Sequence, residues 1–540
     1  MKKVKLLDCT LRDGSYINSS KFGIPALRGI IKKMQAAGVD VIECGWLKDT
    51  PHEIGSAYFH VPSDMEQYLI EYDKRIDYVA MIDWDRYDTD LLPPHDGKSI
   101  NAVRVVFPRG KCHEGLQVGR KIREKGYQVY IQAANTLSYN DAELEELVEA
   151  VNEFKPKAVS VVDTFGAMYF DDLQHIIEYL DSRLLPEIQL GFHSHNNQQL
   201  SFALTIKFIE LLENSSREVV VDASLCGMGR GAGNATTELV ANYLNQKQHG
   251  NYDMNAILDA IDMYIDGIRE KYTWGYSTPY FIAGMYQCHV NNIAYLRKNH
   301  RTSARDMRNI IDSLGIEERR HYDYDLLEKK FLENQDRIVD DANAKKQLNE
   351  VVRGRTVLLV APGKTIIEQE SKIKDFIKKN NPVIIGVNAI ITNYISDYDY
   401  LLFVNRIRYD YAKEAYSTAF EELHRIVLSN IHNTPHENEL VINFNNVIKR
   451  GWEHFDNAVI CAMRMLARLD VQEVAVAGFD GFKTQYNESY ADASLPNLNT
   501  SNTCESLNRE IKSMFLDVKE SVTGRMEIKF ITDSIFDVNR

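Results

Sequence analysis

Two short stretches hold the residue types for metal-assisted chemistry. Leu7-Asp8-Cys9-Thr10-Leu11-Arg12-Asp13-Gly14 places an Arg-Asp pair after a first apolar run, and Phe192-His193-Ser194-His195 places a His-x-His at the end of a later one. Residues two apart on a strand face the same way, so the imidazoles of His193 and His195 can share one divalent cation. Asp13 can add a hard carboxylate oxygen. Arg12 can supply a fixed positive charge beside whatever oxyanion the ion binds. A donor set of one oxygen and two nitrogens with open positions accepts Mn²⁺, Mg²⁺, Co²⁺ or Zn²⁺, and carboxylate-binding chemistry favours Mn²⁺ or Mg²⁺.

Such a site needs strands whose ends converge. Up to about residue 225, β-branched apolar runs alternate with amphipathic helical stretches. The strand candidates are Val4–Cys9, Val39–Cys44, Tyr78–Asp83, Ala102–Phe107, Gln128–Ala133, Ala158–Asp163, Ile188–Phe192 and Val219–Ala223. Helical spacing occupies Ala26–Ala37, Glu114–Lys125, Asp141–Phe154, Asp171–Leu180 and Gln198–Leu212. Eight β-α units in about 245 residues match a closed (β/α)8 TIM barrel, whereas a doubly wound open sheet leaves two strands unexplained. In a barrel the chemistry sits at the C-terminal ends of the strands. There the chain places Arg12, Asp13, Glu43, Asp83, Asn135, Asp163, Thr164, His193, His195, Asp222 and Ser224. Any one of these could be a turn residue; together they mark a rim. After the eighth strand, Gly227-Met228-Gly229-Arg230-Gly231-Ala232-Gly233-Asn234 lacks the dinucleotide fingerprint. It reads either as a tight loop or as one held against the site, with Asn234 offering a carbonyl oxygen to the metal.

The bulk numbers set bounds. At 540 residues the chain exceeds one hydrophobic core. A net charge of -14 argues against a general nucleic-acid partner, and no apolar run reaches membrane-spanning length. The first residues have no apolar core or cleavage site of a signal peptide. Seven scattered cysteines without Cys-x-x-Cys spacing fit reduced thiols, hence a cytoplasmic location.

Asp-x-Thr-Leu-Arg-Asp-Gly, His-x-His and Gly-x-Gly-x-Gly-Asn, in this order, resemble the DRE-TIM metallolyase superfamily, which includes hydroxymethylglutaryl-CoA lyase, isopropylmalate and homocitrate synthases and 4-hydroxy-2-oxovalerate aldolase. The resemblance covers about residues 3 to 245. It implies a TIM barrel with a divalent metal on Asp13, His193 and His195, and Asn234 as a further ligand. Arg12 matches the arginine that stabilises the enolate, and Glu43 a glutamate that positions it. Ser15 and Val162-Asp163-Thr164-Phe165-Gly166-Ala167-Met168 resemble the pyruvate-forming aldolases more than the synthases. Ile282-Ala283-Gly284-Met285-Tyr286 resembles their post-barrel helix, which places Tyr286 near the substrate alcohol.

One position departs from the pattern. The aldolases carry a histidine base two residues after the Gly, and this chain has Tyr16. A phenol with a reference pKa of about 10 is a poor base near neutrality. Tyr16 acts as base if cations depress it; otherwise it binds substrate, and the base is another rim residue such as His52, His60 or Asp83.

Beyond the barrel (1–250), residues 251–352 read as a helical extension and connector, with solvated charge runs and the capacity to dimerise. From Arg355 the pattern restarts. Thr356–Ala361, Val383–Val387, Tyr400–Val404, Arg425–Ser429, Leu440–Phe444 and Glu473–Ala477, interleaved with helices such as Glu368–Lys379 and Ala458–Leu469, predict a Rossmann-like α/β domain over 353–540. Pro362-Gly363-Lys364-Thr365 is not a P-loop, because Leu358 stands where the first glycine is required. Val-Ala-Pro-Gly-Lys-Thr-Ile, Ile385-Gly386-Val387-Asn388 and Ala477-Gly478-Phe479-Asp480-Gly481 weakly resemble Rossmann-like domains of sialyltransferase-type glycan enzymes, which implies a nucleotide or nucleotide-sugar ligand.

The whole reads as a divalent-metal-dependent, class II aldolase that forms or cleaves a 4-hydroxy-2-oxo acid through a pyruvate-type enolate, acting on a 2-oxo acid and an aldehyde and expected as a homo-oligomer. A Claisen-type condensing enzyme or CoA-thioester lyase on the same barrel is the first alternative. A bifunctional glycan-pathway protein whose C-terminal domain binds a nucleotide-sugar is the second.

Overall fold

The computed structural model describes residues 4–300, 302–335, 339–483, 487–496, 498 and 503–537. Residues 1–3, 301 and 336–338, which fall within the expected barrel and connector, lie outside the described residues. The chain forms two compact units, one of residues 1–293 with 319–321 and one of residues 294–318 with 322–540.

The first unit is a parallel barrel. Its strands are β1 (Val4–Asp8), β2 (Val41–Leu47), β3 (Tyr58–Phe59), β4 (Asp77–Asp83), β5 (Ala102–Phe107), β6 (Gln128–Ala133), β7 (Ala158–Asp163), β8 (Gln189–Ser194) and β9 (Val219–Ala223). The order β1-β9-β8-β7-β6-β5-β4-β2 closes on itself, because β1 pairs with both β9 (Val4 beside Val219) and β2 (Leu7 beside Val41). β3 is a two-residue strand at the edge of β2. The apolar runs are continuous because these strands are buried on both faces. Helices Ile24–Ala37, Cys112–Glu124, Asp141–Phe154, Phe170–Arg183, Ser201–Leu211 and Thr237–Gln246 cover the outside. The connections after β2 and β4 carry only 3-10 turns, Pro62–Met65 and Thr89–Leu91, where a regular barrel has helices.

Inside the barrel the filling is layered. Leu7, Val41, Val79, Ala102, Tyr130, Ala158 and Val220 form an apolar floor. Two residues further along their strands, Glu43, Arg104 and Asp222 form a charged layer, each at most 2% exposed. The period of two carries each strand from core to chemistry. Several buried polar groups tie the rim together. Asp8 accepts from Thr10 N (3.1 Å) and from Thr237 Oγ1 (2.7 Å), and Thr10 Oγ1 accepts from Leu225 N (2.8 Å). The loop after β1 is thereby fixed to the loop after β9.

The second unit is an open sheet of seven parallel strands: β10 (Thr356–Val360), β11 (Val383–Val387), β12 (Tyr400–Phe403), β13 (Arg425–Leu428), β14 (Glu439–Ile442), β15 (Glu473–Ala477) and β16 (Glu527–Phe530). The order β14-β13-β12-β11-β10-β15-β16 runs outward from β10 in both directions, the Rossmann-like layout. β16 has no counterpart among the six expected strands. Its short, half-exposed Glu-Ile-Lys-Phe sequence carries no buried-strand signal. Among the described residues, no helix is long and apolar enough to cross a membrane.

Candidate active site at the barrel rim

The turn after β1 is tight, with Arg12 N and Asp13 N both bonded to Cys9 O (3.1 and 2.8 Å). It turns the two side chains back over the barrel mouth. Arg12 Nε donates to Glu43 Oε2 (2.7 Å) and Nη1 to Asp13 Oδ1 (2.7 Å), with Arg12 only 5% exposed. Glu43 lies at a β-bulge of β2, a device that re-aims side chains. Its second oxygen faces Arg104 Nη1 at 2.9 Å, an ion pair too bent to be a hydrogen bond. Arg104 Nη2 bonds Asp222 Oδ2 (2.5 Å), and the same oxygen meets His193 Nδ1 (3.0 Å). A relay of alternating charge therefore runs from Asp13 to His193 beneath the rim.

Both histidines are oriented by partners on Nδ1. His193 has Asp222, and His195 Nδ1 lies 3.1 Å from the Asp163 carbonyl. In this arrangement Nδ1 carries the proton and Nε2 keeps its lone pair, the form a metal ligand requires. The ligand atoms of Asp13, His193 and His195 lie within 4.8 Å of one another, and His195 Nε2 is 3.5 Å from Asp13 Oδ2. Burial alone would raise the Asp13 carboxyl, but Arg12 and the imidazoles outweigh it and hold Asp13 well below the usual carboxylate range. Burial, assisted by Arg12 and opposed by Asp222, lowers the His193 pKa. One carboxylate oxygen and two imidazole nitrogens fit a divalent cation.

Asn234 belongs to the same cluster. An isolated bridge pairs His195 with Asn234, and Asn234 Nδ2 donates to Asp13 Oδ2 (2.6 Å). Its Oδ1 is buried and, among the described residues, has no hydrogen-bond partner. An orphaned amide oxygen beside the triad suits a cation. Of the two readings of the glycine-rich loop, the structure favours one held against the site. A Cβ on Gly229 would sit 2.4 Å from Asn234 Nδ2 and 2.6 Å from Asp13 Oδ2.

The cleft above these groups measures about 780 Å³. Arg12, Asp13, Tyr16, Asp83, His193 and His195 line it, as do Gln132, Arg230 and His289. The last three went unassigned in the sequence. Arg230 was legible only as a charge inside a glycine-rich loop, and Gln132 as a polar residue at an inward position of a strand. His289 lies outside the barrel motifs and carried no signal.

Tyr16 is not the depressed phenol that a base would require. Burial raises its pKa far above the ordinary value; the Arg230 guanidinium, 3.7 Å above its ring, opposes this without reversing it. His52 and His60 do not line the cleft. His52 is held by Tyr58 O (2.6 Å) and Tyr68 Oη (2.9 Å), and His60 Nδ1 by Lys48 O (3.1 Å). Tyr286 also falls outside the cleft wall, its ring 4.9 Å from the Arg319 guanidinium. His289, three residues further on, lines the cleft instead. Burial, and then Arg230, push His289 down to about 3. Of His52, His60 and Asp83, only Asp83 lines the cleft, its carboxyl raised by burial. The Asp163 carboxylate turns away from the cleft to accept from Ala167 N (2.9 Å) and Met168 N (3.2 Å), so the Asp-Thr-Phe-Gly-Ala-Met stretch folds its own loop.

Residues 114–263 match the family model described as HMGL-like. The chain is 28% identical over 308 residues to a 4-hydroxy-2-oxovalerate aldolase of Thermomicrobium roseum, covering 53% of this chain and 82% of the relative. It is 26% identical over 265 residues to an oxaloacetate decarboxylase of Mycobacterium tuberculosis, covering 47% and 74%. Among solved structures it is similar to a hydroxymethylglutaryl-CoA lyase from Pseudomonas aeruginosa, at 19% identity and a TM-score of 0.39 over 49% of this chain and 93% of that one. The family implies a divalent metal. The barrel of this chain is thus similar, over residues 114–263, to the HMGL-like family and to relatives named as aldolases and decarboxylases.

Proposed function

We propose that the barrel is a class II aldolase that cleaves or forms a 4-hydroxy-2-oxo acid through the enolate of a pyruvate-type acid. The observation that carries this is Arg12, locked by Glu43 and Asp13 at the edge of the Asp13–His193–His195 cluster. The relatives named for 4-hydroxy-2-oxovalerate and oxaloacetate both act on 2-oxo acids, which supports the same class here.

Asp13, His193 and His195 would hold the divalent ion, Mn²⁺ or Mg²⁺, with Asn234 as a further ligand. When bound, that ion supplies Lewis-acid polarisation of the 2-oxo group. Arg12 hydrogen-bonds the oxygen on which negative charge develops; its Nη2 is committed to neither Glu43 nor Asp13. A rigid, buried guanidinium is worth more than a mobile one, because it needs no reorganisation as charge forms. Tyr16, kept protonated, donates to the oxygen of the alcohol or aldehyde. The Asp83 carboxylate takes the proton of the 4-hydroxyl, its basicity increased by burial. Arg230, set over the Tyr16 ring, binds the substrate from above.

The test is pyruvate release from 4-hydroxy-2-oxovalerate with Mn²⁺ or Mg²⁺ and no coenzyme A. Turnover that depends on the metal and not on coenzyme A supports the reading. Turnover only with a CoA thioester would transfer the barrel to the condensing or thioester-lyase branch.

A further inference from the structure

The second unit has a cleft of its own, of about 700 Å³. It lies at the carboxyl end of the sheet beside β10, where the strand order reverses. Its walls are Ala361–Gly363 after β10, Asn388 after β11, Gly478–Phe482 after β15 and the start of helix Ala458–Leu466. Reversal of strand order splays the two loops apart, so open parallel sheets bind ligands at this point. The loops approach closely at the backbone: Gly363 N donates to Gly478 O (3.0 Å), and a Cβ on Gly478 would lie 2.1 Å from Ala361 O.

One side chain in this cleft is unsatisfied. Arg408, in the first turn of helix Arg406–Ala415, is 2% exposed and lines the cavity. Its Nε and Nη1 are buried with no hydrogen-bond partner among the described residues. The Tyr490 ring is 4.8 Å from the guanidinium, and a ring face cannot satisfy both N–H groups. Asp492 feels the Arg408 charge but bonds Ser494 and the Tyr416 hydroxyl instead. A buried guanidinium whose N–H groups meet no acceptor is strongly unfavourable, so an anion that accepts from them is the missing partner. A second anion-binding element faces the same space. Helix Ala458–Leu466 begins there, and its Asn457 cap accepts only from Ile460 N (3.2 Å), leaving the first helical N–H groups without an intrahelical acceptor.

The remaining surface has a different character. Phe479, Phe482, Tyr490 and Phe536 contribute aromatic rings, a wall that a bare phosphate would leave uncovered. Asp480, an acid lining the cleft, has both oxygens engaged by Thr365 and suits a hydroxyl donor rather than an anion. We propose that this cleft binds a phosphorylated nucleoside, its phosphate between Arg408 and the start of helix Ala458–Leu466 and its base among the aromatic rings. The Gly-Lys-Thr stretch is no P-loop: only its Gly363 lines the cleft, and the phosphate is taken up by an arginine from the strand-helix unit of β12. The inference is independent of the barrel chemistry.

The experiment is calorimetric titration of the full-length chain with the 5'-mono- and diphosphates of adenosine, guanosine, cytidine and uridine, with the matching nucleosides and with inorganic phosphate. At least one nucleotide should bind one per chain, at least tenfold tighter than its nucleoside and than phosphate. Arg408→Gln should weaken that nucleotide at least tenfold, and Arg408→Lys should recover part of the loss. Ala458→Asp is the second variant. An acid at the first helical position favours the helix but repels the phosphate, so it should also lose at least tenfold with an unchanged melting temperature. No nucleotide bound by the wild type, phosphate alone as tight as every nucleotide, or a folded Ala458→Asp variant with undiminished affinity would each overturn the proposal.

Discussion

Glu43 stands between two arginines, its Oε2 2.7 Å from Arg12 Nε and its Oε1 2.9 Å from Arg104 Nη1. The carboxylate is fully buried, so it cannot lose one partner without leaving the other arginine a buried, under-compensated charge. Its role is positional. Glu43→Gln should keep divalent metal bound while lowering kcat by roughly 10-fold or more, because Arg12 loses the bond that aims it. Metal content by plasma emission spectroscopy and kcat on the same preparation check this; loss of metal together with activity would make Glu43 a support of the ion site instead.

Arg12→Lys is the sharper change. Lysine retains the charge but cannot bond Glu43, Asp13 and an oxyanion in one plane. Turnover should fall by about 10²–10³, the usual cost of one lost transition-state donor, with metal retained. Near wild-type kcat would mean that the enolate is stabilised elsewhere, with Arg230 the next residue to replace.

Asp222 sets the tautomer of His193 and also neutralises Arg104. Asp222→Asn should weaken divalent metal affinity by roughly 10–100-fold, as loss of a group that orients a ligand generally does. It should also reduce stability, by about 3 kcal/mol, because Arg104 is left partly unpaired in the core. Metal titration and denaturant unfolding of the same variant separate the two effects.

The Tyr16 reading separates two activities. Enolate formation needs Arg12 and the metal but not the alcohol oxygen. Tyr16→Phe should therefore preserve exchange of the pyruvate methyl protons while lowering carbon–carbon cleavage roughly 10-fold or more. The pH profile of the residual cleavage should keep its shape, since a phenol pushed above the ordinary range by burial does not titrate near neutrality. A profile that loses its basic limb in the variant would return the base role to Tyr16.

Asp8 makes a stability prediction. Burial raises its carboxyl to about 6, against an unfolded value of about 3.9. Below both values the folded and unfolded chains are equally protonated and nothing is lost. As pH rises, the unfolded chain releases this proton first, so stability falls between about pH 4 and pH 6 and stays level above. The loss is on the order of 2–3 kcal/mol. Asparagine can still accept from Thr10 N and instead donate to Thr237 Oγ1, so Asp8→Asn should flatten this part of the curve and melt no lower than wild type at pH 8. Thermal unfolding from pH 4 to 8 decides it.

The barrel was legible because its strands are buried on both faces, and Val, Ile and Ala runs such as Ala158–Asp163 leave little else to be. The convergence of Asp13, His193 and His195 was legible because the two histidines are two apart and Asp13 follows the first strand. What escaped depends on distant chain. Arg104 and Asp222 are ordinary residues of two separate strands until the closed barrel sets them 2.5 Å apart. His289 reaches the cleft only through the packing of a post-barrel segment, which no local spacing encodes, and the same packing turns Tyr286 toward Arg319. The pKa of Tyr16 is likewise a property of burial and of Arg230 overhead, not of its place after Arg-Asp-Gly-Ser.

The central claim is that Asp13, His193 and His195 hold a divalent ion beside Arg12 and that pyruvate is enolised there. Proton NMR of pyruvate in D2O follows this directly, without knowledge of the aldehyde. With Mg²⁺ added, the wild-type chain should exchange the methyl protons, EDTA should abolish the exchange, and a His193→Ala, His195→Ala double variant should show none above the uncatalysed rate. Exchange undiminished in that double variant, or none in wild-type protein shown to carry its metal, would contradict the account.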